Sequence, residues 1–223
     1  MIRTVVVGIV TVFQMMLCTN CSKAPNQSSV GASSPREQVV ALYRSVLLKD
    51  GVKFRALFKY PEGDAETLMQ IVDEVFRLSQ NTSHFRNTVL MHQGEEGWTS
   101  FGGSRANEST GSGATIRVFS DAEFKMISDG HLSIDQHDTI AYASIEPLVM
   151  PLRLIRAGRD WYLDPTSFVP AGISPQTALR QIQRYNELLA SAELKIRSGE
   201  AATNVSDWLG TELFRAITEA ARK

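Results

Sequence analysis

The sequence predicts an α+β fold, with N-terminal helices packed on a curved antiparallel sheet and a C-terminal helical hairpin. Three observations carry that prediction. Apolar residues recur every three and four positions through residues 35–78, alternate in strand fashion through residues 139–164, and return to helical spacing from residue 175 onward. The strand-like part is centred on Gly158-Arg159, a two-residue turn with glycine in the first central position, as a type II′ hairpin requires. That turn sets Leu154 opposite Leu163 and Arg153 opposite Asp164, so Met150, Leu152, Leu154, Trp161 and Leu163 share one face and Arg153, Ile155, Tyr162 and Asp164 the other. Pro147, Pro151 and Pro165 mark where the ladder stops, because proline has no amide to donate.

Composition fits a globular body, with 43% hydrophobic and 21% charged among 223 residues and a net charge of −1. No stretch concentrates Lys and Arg with interleaved aromatics, which argues against nucleic acid as a partner. The amino terminus is of another kind. Arg3 precedes an apolar run from Val5 to Leu17, too short to span a bilayer and suited to the central region of an export signal. Both cysteines, Cys18 and Cys21, follow that run, so no disulfide staples the body. Residues 22–34 are small and polar and read as a tether.

The elements follow in order. Ser34-Pro35-Arg36-Glu37 is a capping box with proline at the first helical position, and Val39, Leu42, Tyr43, Val46 and Leu47 form the inward stripe, with Gly51 as the expected stop. Phe54, Leu57 and Phe58 suggest a short second helix. Asp64 caps a third, carrying Leu68, Ile71, Val72, Val75, Phe76 and Leu78, while residues 83–91 fit helix or strand. From about Glu95 short strands and turns are expected, with a Gly/Ser-rich loop at 102–113, strands at 114–120, 123–127 and 139–146, and a turn at Ser128-Asp129-Gly130. The loop lacks the Gly-Lys-Ser/Thr ending of a phosphate cradle. Ser174-Pro175 opens a helix with Leu179, Ile182, Tyr185, Leu189, Ala192 and Ile196 on one face. Asn204 is the expected cap of a last helix carrying Val205, Trp208, Leu209, Leu213 and Ile217.

Two resemblances add to this. The amino terminus resembles a bacterial lipoprotein signal, with Cys21 as the acylated residue, although the usual aliphatic residue three positions earlier is replaced by Cys18. Cys18 itself, after Met15-Met16-Leu17, and a plain signal or uncleaved anchor are the alternatives. Residues 35–165 are similar to the nuclear transport factor two-like superfamily, a cone in which a curved sheet wraps a long helix. The matching residues are Gly158, Trp161, Leu163 and Asp164, the Gly-x-x-Trp-x-Leu-Asp ending of many secreted bacterial members. The resulting layout is a signal peptide at 1–20, a tether at 21–34, the cone-like domain at 35–165 and a helical extension at 166–223.

The resemblance implies a concave ligand pocket, for which Tyr142, Trp161, Tyr162 and Asp164 are the candidates. Each has a plainer role. Asp164 faces Arg153 as an ion pair, and the aromatic rings suit core packing. His131, Asp135 and His137 share one face of an extended segment, but Leu132 and Ile134 opposite them describe a half-exposed edge strand, so no metal site is assigned. His84 and His92 accompany no nucleophile motif, and neither catalytic residues nor a cofactor are assigned. The function expected is that of an exported envelope lipoprotein acting as a non-catalytic binding or interaction module. It would be membrane-anchored on the periplasmic or outer-membrane side, with an envelope protein or a small apolar ligand as partner. The alternative is a small isomerase- or dehydratase-type enzyme using the concave face, and the fold alone does not choose between them.

Overall fold

The computed structural model describes residues 31–101, 119, 121–145 and 151–220. The chain divides into two units, Met1–Val30 and Gly31–Lys223. The first, which holds the signal-like run and Cys21, lies outside the described residues, as do the loop at 102–113, Pro147 and Met150.

α1 (Pro35–Leu47) starts at Ser34, whose hydroxyl oxygen accepts the Glu37 amide hydrogen at 3.3 Å. The Ser33 hydroxyl donates to the Glu37 carboxylate at 2.6 Å and holds that carboxyl below its usual range. Val39, Leu42, Tyr43 and Val46 are buried as their spacing requires, while Leu47 is exposed. Gly51 does not stop this helix. Lys49 takes the left-handed conformation at φ 56°, and Gly51 opens α2 (Gly51–Ala56) behind Asp50, whose carboxylate accepts the Lys53 amide at 3.0 Å. That bond lowers the Asp50 pKa. Gly51 lies against the Phe76 ring, where an added Cβ would come within 3.2 Å of it.

α3 (Ala65–Thr99) begins after Asp64, which makes no side-chain cap bond. Leu68, Ile71, Val72, Val75 and Leu78 are buried, and Phe85 and Val89 continue the stripe, so residues 83–91 are helical. The expected change to strands near Glu95 does not occur. Gly94, at φ 68° and ψ −167°, is non-helical and joins two helical stretches across a kink, in a conformation that only glycine adopts readily.

A second expectation fails at residues 123–127, which are α4 (Asp121–Ser128), not a strand. Glu123 and Ile127 are both buried and lie one helical turn apart, whereas strand alternation would have put exposed Lys125 on their face. The expected strand at 114–120 falls outside the described residues except for Phe119, which is buried.

β1 (Leu132–His137), β2 (Ile140–Ile145), β3 (Leu152–Ala157) and β4 (Asp160–Leu163) form an antiparallel sheet in chain order. Leu154 pairs with Leu163, and the Asp164 amide donates to the Arg153 carbonyl at 2.9 Å, the register expected from the turn. Gly158 has φ 66° and Arg159 does not share that sign, as a type II′ turn needs. Leu132, Ala141, Ala143, Ile145, Leu152, Leu154, Trp161 and Leu163 are buried on the core face, which α1 and α4 cover. The far edge of β4 is covered too. The Trp161 amide donates to the carbonyl of Ala32, inside the stretch expected to be a tether, and Leu163 exchanges backbone bonds with Leu57 and Lys59. Tyr43, Phe54, Phe58, Phe76, Phe119 and Phe168 fill the space between helices and sheet, with ring centroids 5.1–5.9 Å apart.

Pro165 ends the sheet and opens a 3₁₀ turn (Pro165–Phe168) that packs against α3. α5 (Pro175–Arg197) and α6 (Ala202–Ala220) make the C-terminal helical pair. α5 lies along α3, not on the outside of the sheet, and the bonded pairs Thr67–Gln176, Asn81–Asn186, Thr88–Glu193 and Gln93–Glu200 rise together, so the two helices are parallel. Asn204 is not the cap of α6. The helix begins two residues earlier because the Ala202 amide donates to the Gln93 side-chain carbonyl at 2.6 Å, a cap supplied by α3.

Candidate functional site

The pocket candidates do not converge. Period-two alternation puts Trp161 on the core face, 3% exposed, and Tyr142 and Tyr162 on the opposite face, where Tyr142 is 39% exposed. Asp164 is 6% exposed, and its carboxylate is engaged by the Arg153 guanidinium, the Thr166 amide at 2.9 Å and the Thr166 hydroxyl at 2.7 Å. It therefore caps the 3₁₀ turn and anchors Arg153, whose own amide donates to the Ser167 hydroxyl at 2.9 Å.

What the register does assemble is the outer face of the sheet. One row across the strands is polar, Asp135–Tyr142–Arg153, continued by Asp164 just past the end of β4 through its bonds to Arg153, and the next is mostly apolar, His137–Ile140–Ile155–Tyr162. Arg153 Nε is buried and, among the described residues, has no hydrogen-bond partner. The Lys59 ammonium lies 6.0 Å from the Tyr162 ring centroid and extends this face past β4. Such a face offers a fixed guanidinium, two phenols and an aliphatic strip side by side. That combination suits contact with a broad partner surface better than enclosure of a small substrate.

The histidines are placed as follows. His137 Nε2 lies 3.0 Å from Asp135 on the edge strand β1, with both side chains mostly in solvent, and His131 precedes that strand. Among the described residues no group of three or more His, Cys, Asp and Glu comes together. His84, on α3, contacts Glu193 at 3.1 Å and Arg197 at 3.3 Å, and His92 is exposed.

Two polar clusters escaped the sequence reading. Glu123 is buried and accepts the Tyr43 hydroxyl at 2.7 Å; the strand expectation for residues 123–127 hid it. The second is the line Thr67, Glu74, Asn81 and Thr88 along α3, which faces α5. The Asn186 side-chain amide donates to the Glu74 carboxylate at 2.8 Å and to the Glu74 carbonyl at 3.2 Å, and Asn81 donates to the Asn186 oxygen at 2.8 Å. A signal existed, since these four residues repeat every seven positions and Asn186 interrupts the apolar stripe between Ile182 and Leu189.

Comparison of the chain with protein-family models, with curated proteins and with solved structures returns no match.

Proposed function

We propose that this chain is an exported envelope lipoprotein, anchored through Cys21, whose folded body is a non-catalytic binding module of the cone-like type. The observation that carries the binding role is the division of Tyr142, Trp161, Tyr162 and Asp164 between the two faces of the sheet, which separates them instead of gathering them in one pocket and presents Tyr142 on the outer face for contact with a partner. The engagement of Asp164 by Arg153 and Thr166 supports a structural role for that carboxylate. The anchor rests on the apolar run from Val5 to Leu17 followed by Cys21. Among the described residues no helix is long and apolar enough to cross a membrane. The test is an intact mass and a membrane fractionation of the native protein beside Cys21→Ala. A diacylglyceryl-sized addition that disappears in the variant, together with release of the variant from membranes, supports the anchor; a plain chain mass removes it.

One observation favours the enzyme of isomerase or dehydratase type. A buried carboxylate that accepts a phenol, as Glu123 does from Tyr43, is a pairing that acid–base chemistry uses. Catalysis would require access to it. Carbodiimide coupling of an amine to the native protein, read by peptide mass, decides: modification of Glu123 favours the enzyme, and modification confined to surface carboxylates favours the module.

A further inference from the structure

The corner between α1 and α2 carries an unusual concentration of apolar exposure. Leu47 is 39% exposed, Leu48 72% and Val52 82%, whereas the other exposed large hydrophobics among the described residues, Met91, Tyr142, Leu194 and Phe214, stand on four separate elements. Isolated exposed residues need no account, but three within six positions do. The corner is also held firmly. Lys49 is locked at φ 56°, the Asp50 amide donates to the Ser45 carbonyl at 2.8 Å, and Asp50 caps α2. Phe54 is buried beneath, so α2 turns Val52 outward.

The charge around these side chains is cationic. Lys53 pairs with Asp50, Arg55 with Asp73 and Arg77 with Glu74, while Arg44 and Lys49 have no ion pair among the described residues. Arg44 lies one helical turn before Leu47 and Leu48, on their side of α1. Aliphatic tips ringed by uncompensated cations are the composition of an interfacial contact, in which the tips enter the acyl boundary and the cations meet anionic headgroups.

We infer that the Leu47–Leu48–Val52 corner, with Arg44 and Lys49, docks on an anionic phospholipid surface and fixes the attitude of the body on the membrane. The chain geometry permits it. Ten peptide units separate Cys21 from Gly31 and reach at most about 36 Å, while α1 carries the corner about 20 Å from Ser34. The inference deepens the lipoprotein reading, which brings the body to a membrane, but the corner's lipid contact itself requires no acyl group.

The test uses the full chain with Cys18→Ser and Cys21→Ser, carrying an environment-sensitive fluorophore either at Val52→Cys or, as control, at Ala190→Cys, an exposed position of α5. Vesicles of phosphatidylethanolamine and phosphatidylglycerol bearing brominated acyl chains quench the label. The expected result is several-fold stronger quenching at position 52 than at 190, and return to the control level in Arg44→Gln with Lys49→Asn, in which asparagine tolerates the left-handed conformation. Equal quenching at both positions overturns the inference, as does a shift at 52 that depends on protein concentration without vesicles, which would mark a second copy as the occupant. Failure of the anchor reads differently. It shows as a missing acyl mass at Cys21 and leaves the difference between the two labels intact.

Discussion

Toward α2, the long helix α3 presents Phe76, which meets Phe54 and Gly51; toward α5 it presents Thr67, Glu74, Asn81, Thr88 and Gln93. The first flank is filled by tilted aromatic rings and carries one exposed polar pair, Arg55 with Asp73, so its contact is mainly apolar. The second is a polar line in which each residue has a named partner, and sliding α5 by one turn would leave Glu74 and Asn186 buried without their bonds. Apolar burial supplies bulk stabilisation, and satisfied polar groups select one alignment. The parallel course of α3 and α5 needs such selection, because no short loop joins them to set their register.

The largest expected effect is on the aromatic flank. Phe54→Ala removes a buried ring that touches Phe58, Phe76 and Phe119 and should destabilise by about 3–5 kcal/mol in urea unfolding; a loss under about 1 kcal/mol would break the comparison. On the polar flank, Asn186→Ala takes the amide donor from the Glu74 carboxylate and should cost about 2 kcal/mol. A double-mutant cycle with Glu74→Ala should show the two costs to be non-additive, whereas simple additivity would mean that the seam is decorative. Gly94→Ala meets no neighbouring atom, so only the backbone conformation, positive φ with extended ψ, opposes it, at about 1–3 kcal/mol. Its signature should be faster amide exchange at Ala202, whose cap comes from Gln93 beside the kink. Arg55→Ala breaks a bidentate but exposed pair with Asp73 and should cost less than about 1 kcal/mol.

An alkaline titration probes both flanks without mutation. Burial raises the pKa of Tyr60, whose hydroxyl donates to the Arg55 carbonyl, and of Tyr185 on α5. A tyrosine pKa raised by folding gives stability that is complete below the unfolded value near 10 and falls as pH rises toward the folded value. Absorbance at alkaline pH should therefore show Tyr60 and Tyr185 ionising late and together with loss of structure.

Local signals were most readable where one residue type forces one geometry. Ser34-Pro35, Ser174-Pro175 and Gly158-Arg159 placed two helix starts and a hairpin register. They failed where a partner distant in sequence took over. Asn204 lost its capping role to Gln93, and Gly51 became a helix start because Asp50 caps α2 and the Phe76 ring occupies the space of a side chain. The outer-face rows were half legible. Alternation separated Trp161 from Tyr162, but the pocket borrowed from a family resemblance gathered both.

By itself the sequence determined the α+β class, the register of the last hairpin and the apolar stripes of the helices, because these depend on side-chain period and on backbone limits of single residues. Only the tertiary structure decided that residues 83–99 continue the long helix through a kink, that residues 121–128 are helical, and that α5 lies parallel to α3 on a polar seam. Each of those outcomes depends on which distant groups satisfy a buried amide, carboxylate or ring; the seven-residue polar repeat on α3 marks a seam in the sequence but does not name the helix that meets it.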